Sequence, residues 1–557
     1  MLDSTFVKKI ECIFLLLFTL FFGQAMACTN LIVGKKASTD GSVMLAYSAD
    51  SHVLYGELYH WPARTWPEGS MLEIYEWDTG KPLGRIPQVN QTYKVNGMMN
   101  EYQVTISEST FGGRTELMDS TGVLDYGSLM FIALQRSQSA RKAILVMTEL
   151  VEKYGYRSSG ESFTIADPEE VWVLEMIGKG PDYKGAVWVA VRIPDNCISA
   201  HANQARIRQF PLNDPENCVY SPDVITFARQ QGYYNGTNKD FSFADTYAPL
   251  DFMALRACET RVWSYFRKFS ADMDVYLPYL QGKVFNPLPL YVKVEKKVSP
   301  QALQSCMRDH FEGTVFDMSQ DVGAGPFLLP YRWRPLEWKV DSTTYIHERA
   351  IATQQTGFSF VAQMRNWLPN PIGGLLWFGV DDANTCVYVP IYCGIDKVPE
   401  CFSVGNGDML TFSWKSAFWV FNWVANQCYS KYEYMIQDIR PVQDSLETAF
   451  RKEVVDMDAK ASAMYSNDSI GCIKALTDFS GKMSQTTLDK WKSLGEFLLV
   501  RYIDGNIKKV KNNQFLRNVH GYPENPDQPG YDPKYYRNII NETIDKYKES
   551  KIQFEIN

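Results

Sequence analysis

Residues 25–50 run AMACTNLIVGKKASTDGSVMLAYSAD, and the reading of this stretch decides how the chain folds. Residues 29–34, TNLIVG, are β-branched and apolar and end in glycine, which predicts a buried strand. Residues 35–41, KKASTDG, close on an Asp-Gly turn signal, and residues 42–47, SVMLAY, read as the return strand of a hairpin. Cys28 then stands at the head of the first strand. A sheet holds such a position rigidly, and nucleophilic attack depends on that kind of placement.

Upstream, residues 1–23 read MLDSTFVKKIECIFLLLFTLFFG. Lys8 and Lys9 precede an apolar run, residues 12–22, that is short for a bilayer span but suits the core of a secretory signal. Ala25-Met26-Ala27 places small residues at −3 and −1 of a cut before Cys28. The expectation is an exported protein, periplasmic or extracellular, whose mature chain begins at Cys28. An N-terminal cysteine carries nucleophile and base on one residue, because its α-amine has a reference pKa of about 7.7–8.0 and can take the thiol proton. Two other readings stand beside this one. Bacterial lipoproteins are also cut before a cysteine, which would make an acylated Cys28 a membrane tether, although Ala25 stands where that signal prefers a branched aliphatic residue. Cys28 also fits an ordinary buried thiol.

The length of 557 residues accommodates one large domain or two to three ordinary ones. Hydrophobic content of 45% and charged content of 22% are those of a globular protein. The net charge of −8 argues against nucleic acid as a partner, since phosphate binding needs a basic face. No second long apolar run predicts a transmembrane helix in the mature chain. The cysteines are scattered without CxxC spacing, so neither a disulfide framework nor a zinc site is indicated, though Cys386, Cys393 and Cys401 lie close enough in sequence for one local disulfide. The six histidines show no HExxH or paired spacing, and no metal or organic cofactor is expected.

The block C-T-x-L-x-V-G-x-x-A-S-x-D-G-S from Cys28, followed by Asp50, resembles the opening of the cysteine-type N-terminal-nucleophile hydrolases. The nearest likeness is to the dipeptidase A-like family, with bile-salt and penicillin V acylases as more distant kin. The resemblance implies a four-layer αββα sandwich of class α+β, Cys28 as nucleophile and its amine as base. It also implies Asp50 as the group that orients the amine, and short peptides as substrate. Relatives often carry an arginine near the position of Tyr47, and this chain departs from them there. Asn100-Glu101 matches a turn of the acylase kin. Those acylases place an oxyanion asparagine further on, and here residues 107–110, SEST, occupy that region. Glu108 and Thr110 read equally as cleft residues or as a polar strand end. Residues 198–207, ISAHANQARI, resemble a second dipeptidase block, in which Asn203 matches an oxyanion-hole asparagine. A neutral N–H aimed at a developing oxyanion is worth about 2.7–4 kcal/mol. His201 reads as a structural or substrate-side residue. Arg261, with Arg256 as the alternative, matches a cleft arginine of the kin. Glu348-Arg349-Ala350-Ile351 and residues 373–382, GGLLWFGVDD, resemble further blocks of the family.

Residues 126–154 carry apolar positions at spacings of three and four and predict helix. Residues 158–177 alternate like paired strands around Asp167-Pro168, and residues 187–192 predict another buried strand. Beyond Gly405 the pattern turns helical, with Val442, Leu446, Phe450 and Val454 on one face and Leu488, Trp491, Leu494, Leu498 and Tyr502 on another. The expected division is a signal peptide (1–27), a catalytic domain (28–404) and a helical C-terminal extension (405–557) packed upon it. The function so read is an exported dipeptidase. Hydrolysis of another amide, such as an N-acyl amino acid or bile-salt conjugate, and a tethered non-catalytic binding protein are the alternatives. A homo-oligomer stays open.

Overall fold

The computed structural model describes residues 28–549, so the expected signal peptide lies outside the described residues. In chain order the elements that position the site begin with strands β1 (Thr29–Val33), β2 (Val43–Asp50) and β3 (Thr105–Gly112). Helices α1 (Tyr126–Arg136) and α2 (Ala140–Tyr154) precede β4 (Gly160–Ala166), β5 (Val171–Gly178), β6 (Ala186–Arg192) and β7 (Cys197–His201). Next come α3 (Thr260–Phe266), α4 (Pro300–Met307), β8 (Thr356–Met364), β9 (Gly374–Val380) and β10 (Val389–Tyr392). Three helices follow, α5 (Ala417–Ser430), α6 (Tyr432–Tyr465) and α7 (Ser469–Tyr502).

Two antiparallel sheets carry the catalytic half. In the seven-stranded sheet the order is Tyr291–Lys293, β7, β1, β2, β8, β9, β10. The eight-stranded sheet contains β6, β5, β4 and β3 in that order, flanked by shorter strands. The sheets face each other through β1 against β3 and β2 against β4. α1 and α2 cover the other side of the eight-stranded sheet, while α3 and α4 contact β7, β1, β2 and β8 of its partner. Every residue of β1 and β2 is buried, because these strands have protein on both faces, and that is why their sequence is a near-continuous apolar run. Gly34 ends β1 where a Cβ would meet the Asp195 carbonyl oxygen at 2.5 Å, and Gly41 supplies the positive φ of 89° that the hairpin turn requires.

The helix read over residues 126–154 is two helices. Ser137 is extended, and Ser139 caps α2 by accepting a hydrogen bond from the Lys142 amide. The apolar periodicity continues across this break because both helices lie on the same sheet. A wide helical turn over Ala254–Glu259 leads into α3. Residues 386–388 lead into β10. The local disulfide is absent: Cys386, Cys393 and Cys401 are buried free thiols. The C-terminal helices pack on β9 and β10, with Trp491 stacked on Phe421 at 4.9 Å. Two ion pairs tie α6 to the sheet region, Arg308 to Glu447 at 2.5 Å and Arg365 to Asp458. Among the described residues no helix is long and apolar enough to cross a membrane.

Candidate active site

Alternation along the first hairpin sorts its side chains onto two faces. Asn30 pairs with Tyr47 and Thr29 with Ser48, so Cys28, Asn30 and Tyr47 point between the sheets while Thr29, Ser48 and Asp50 point the other way. Asn30 joins the sheets directly: its Nδ2 donates to the Glu108 carbonyl at 2.5 Å and its Oδ1 accepts from Ser107 Oγ at 2.5 Å. This clamp brings Glu108 to Cys28.

Cys28 Sγ donates to Glu108 Oε1 at 3.3 Å, and the Tyr47 hydroxyl reaches both, at 3.5 Å from the sulfur and 2.5 Å from Glu108 Oε1. They open into a cleft walled by Leu54, Trp77, Met98, Met130 and Phe358 and lined also by Asp50, Asp78 and Tyr126. Burial, then the charges of Glu108 and Asp50, push the Cys28 thiol well above its ordinary value. Burial likewise raises Tyr47, as do the neighbouring sulfur and carboxylate. The Glu108 carboxyl is raised by burial, and Glu161, diagonally across β3 and β4, is raised by burial and then by Glu108. Two buried carboxyls so placed hold one proton between them more readily than two charges. At the exposed mouth, Asp78 is pushed up to about 6, first by its partly enclosed setting and then by Glu108, while the Tyr126 hydroxyl donates to it at 2.9 Å.

The opposite face of the hairpin is cationic. Arg349 pairs with Asp50 and also donates to Thr29 Oγ1 at 3.2 Å. The other Asp50 oxygen accepts from Thr356 Oγ1 at 2.6 Å. Arg261 spends all five donors on neutral acceptors: the carbonyls of Ala257, Cys28 and Ala202, Thr29 Oγ1 and Asn203 Oδ1, at 2.6 to 3.0 Å. Burial and the charge of Arg349 lower it to about 9, still a cation at neutral pH.

Of the residues read from sequence, Cys28, Tyr47 and Glu108 meet in the cleft; Asp50 also lines it, while its carboxylate turns away to Arg349 and Thr356. Asn203 stands beside it in the left-handed region at φ 64°, its Nδ2 donating to the Thr110 carbonyl at 2.8 Å. Thr110 bonds Glu161 Oε2 at 3.0 Å and supports the acidic pair without lining the cleft. His201 does not reach the cleft. Its ring spans Ser109 Oγ (2.6 Å) and Thr164 Oγ1 (2.7 Å) between the sheets, and burial pushes it down to about 3. Arg256 pairs with Glu348, and it is Arg261 that reaches the Cys28 carbonyl. The Asp381-Asp382 loop is tied to α5 through Asn422 and Tyr429 and lies off the cleft. Sequence reasoning assigned no role to Arg349, Asp78, Tyr126 or Glu161. Only Arg349 had a signal, its place in a family-like block. Among the described residues no three His, Cys, Asp or Glu side chains gather as a metal site.

A family model for peptidase family C69 matches residues 27–60 and 55–445. A probable dipeptidase of Salmonella dublin is 27% identical over 404 residues, which cover 67% of this chain and 82% of that protein. A probable dipeptidase of Latilactobacillus sakei is 25% identical over 421 residues, 71% of this chain and 80% of the relative. Dipeptidase A of Lactobacillus helveticus is 24% identical over 398 residues, 67% and 77% of the two chains. A match that spans both sheets and reaches into α6 leaves the family in no doubt: the chain belongs to peptidase family C69, among its dipeptidase A-like members, and is a peptide hydrolase.

Proposed function

We propose that this chain is an exported dipeptidase that uses Cys28 as an N-terminal nucleophile, set free by cleavage after Ala27. The observation that carries the reading is the position of Cys28: its sulfur faces the cleft while Arg261 holds its carbonyl from the other side. The two facing sheets with helices outside them support the αββα layering of N-terminal-nucleophile hydrolases.

In this mechanism the α-amine of Cys28, oriented by Asp50, takes the thiol proton, and sulfur attacks the peptide carbonyl. Asn203, held at its Oδ1 by Arg261, and nearby backbone N–H groups stabilise the oxyanion. The protonated amine delivers its proton to the leaving amine, and water then hydrolyses the thioester and regenerates the thiol. The Arg349–Asp50 pair keeps the orienting carboxylate charged and in place. With Tyr47 where relatives carry arginine, the sulfur receives a neutral hydrogen bond instead of a cation.

The test is the mass of the N-terminus in protein exported by a host with both signal peptidases, followed by a dipeptide panel. Unmodified Cys28 with a free amine and turnover of dipeptides is the expected result. A diacylated Cys28, or turnover retained by a Cys28→Ser variant, overturns the mechanism.

A further inference from the structure

We propose that the acidic end of the cleft, formed by Glu108 with Asp78 and Tyr126, is a subsite for the α-ammonium group of the substrate, so that the enzyme reads peptides from their free amino end. This rests on the dipeptidase reading and adds to it the group that sets the register of cleavage.

The nucleophile fixes the geometry. A carbonyl carbon poised for attack lies about 3–3.5 Å from the sulfur. In the N-terminal residue of a peptide the α-nitrogen is two bonds from that carbon, a separation of about 2.5 Å from standard bond lengths. The ammonium group therefore falls within a few ångströms of Cys28 Sγ, and Glu108 Oε1 is 3.3 Å from that sulfur. Glu108 is 1% exposed, and among the described residues no N–H or hydroxyl reaches its Oε2, which has the Glu161 carboxyl beside it. An ammonium has three N–H donors and no acceptor, the complement of a carboxylate with a lone pair to spare. Asp78 and the Tyr126 hydroxyl, 2.9 Å apart, extend the acceptor surface toward the mouth. Among the described residues no lysine, arginine or histidine lines this cleft, while Trp77, Met130 and Phe358 supply apolar walls that keep the local dielectric low.

The same contact links recognition to reactivity. With Glu108 anionic beside the sulfur, formation of a thiolate is opposed, and both burial and that charge hold the thiol neutral. An ammonium seated on Glu108 cancels the charge and eases transfer of the thiol proton to the base. An N-acylated peptide brings no charge and leaves the opposition in place. Unblocked peptides are thus favoured twice, in binding and in activation.

The experiment compares kcat/KM of the processed enzyme for alanyl-alanine, N-acetyl-alanyl-alanine and alanyl-alaninamide. N-acetylation is expected to lower kcat/KM by about a hundredfold or more, and amidation of the carboxyl end by less than about tenfold. Glu108→Gln is expected to compress the free-to-acetylated ratio to below about tenfold, by slowing the free dipeptide and, with the opposing charge gone, speeding the acetylated one. Asp78→Asn, at the exposed mouth, gives a smaller compression and serves if the buried variant does not fold. Equal turnover of free and acetylated peptides, or a larger loss on amidation than on acetylation, overturns the subsite. If the wild type hydrolyses none of the three, calorimetric binding to the Cys28→Ser variant decides separately: preference for the free dipeptide retains the subsite and sinks the dipeptidase reading, and no preference sinks both.

Discussion

The two sides of the first hairpin treat the same cysteine in opposite ways. On the Thr29–Ser48–Asp50 side Arg349 meets Asp50, and each of the five N–H groups of Arg261 has an acceptor. On the Cys28–Tyr47 side two carboxyls, Glu108 and Glu161, lie buried together, and among the described residues each has an oxygen without a protein donor. A satisfied buried network holds its shape and has nothing further to gain from a ligand. An unsatisfied one gains free energy when a donor arrives. The difference separates the half of the site that positions Cys28 from the half that is built to receive something.

The sharpest way to break this comparison is Cys28→Ser, which keeps the side-chain volume on both networks and is expected to lower dipeptide turnover at least about a thousandfold with an unchanged circular-dichroism spectrum. Turnover within about tenfold of wild type would place the chemistry elsewhere. Arg349→Met probes the matched side. It leaves Asp50 buried without its cation, which predicts a loss of about 3–5 kcal/mol in urea unfolding. A loss below about 1 kcal/mol would show that this side is not the scaffold.

Glu108→Gln probes the unmatched side through the sulfur. The Glu108 charge raises the Cys28 thiol, so its removal lowers it and enlarges the thiolate fraction. Alkylation of Cys28 by iodoacetamide at neutral pH should then speed up by about tenfold. A slower reaction would contradict the electrostatic reading. The smallest effect is expected for Glu161→Gln. Glu108 and Glu161 are both raised above the ordinary 4.5, so the folded chain binds their protons more tightly than the unfolded chain does. Their stabilising contribution is complete below the unfolded value and is lost as pH rises through the raised folded values. Melting curves from about pH 5 to about pH 9 should therefore fall less steeply for the variant than for the wild type. A steeper fall would show that the pair is not sharing a proton.

What the sequence by itself determined is local. Residues 29–47 announce a hairpin because β-branched runs and an Asp-Gly turn are short-range signals, and the paired strands of β4 and β5 follow from the same logic. Motif likeness brought Asp50, Asn203 and Arg261 forward, whereas the extension of β2 to Asp50, which puts Tyr47 and Asp50 on opposite faces, came from the structure. The helical C-terminal region was legible from its stripes, whereas the break at Ser137 was not, since periodicity survives an interruption when both pieces pack on one surface.

What only the tertiary structure decided is which faces meet. Glu108 comes to Cys28 from 80 residues away because β3 crosses over β1, and Arg349 comes to Asp50 from 299 residues away because it lies just before β8, the partner of β2. Glu161 and Asp78 join the acidic end through β4 and through a turn with no pattern of its own. His201 is held between two hydroxyls, away from the cleft. The physical reason is common to all of these. Periodicity records which side of a strand or helix is apolar, while the partner of a buried polar group is chosen by sheet order and layer contact. That choice is made through space by hydrogen bonding and charge, and it leaves no trace in neighbouring residues.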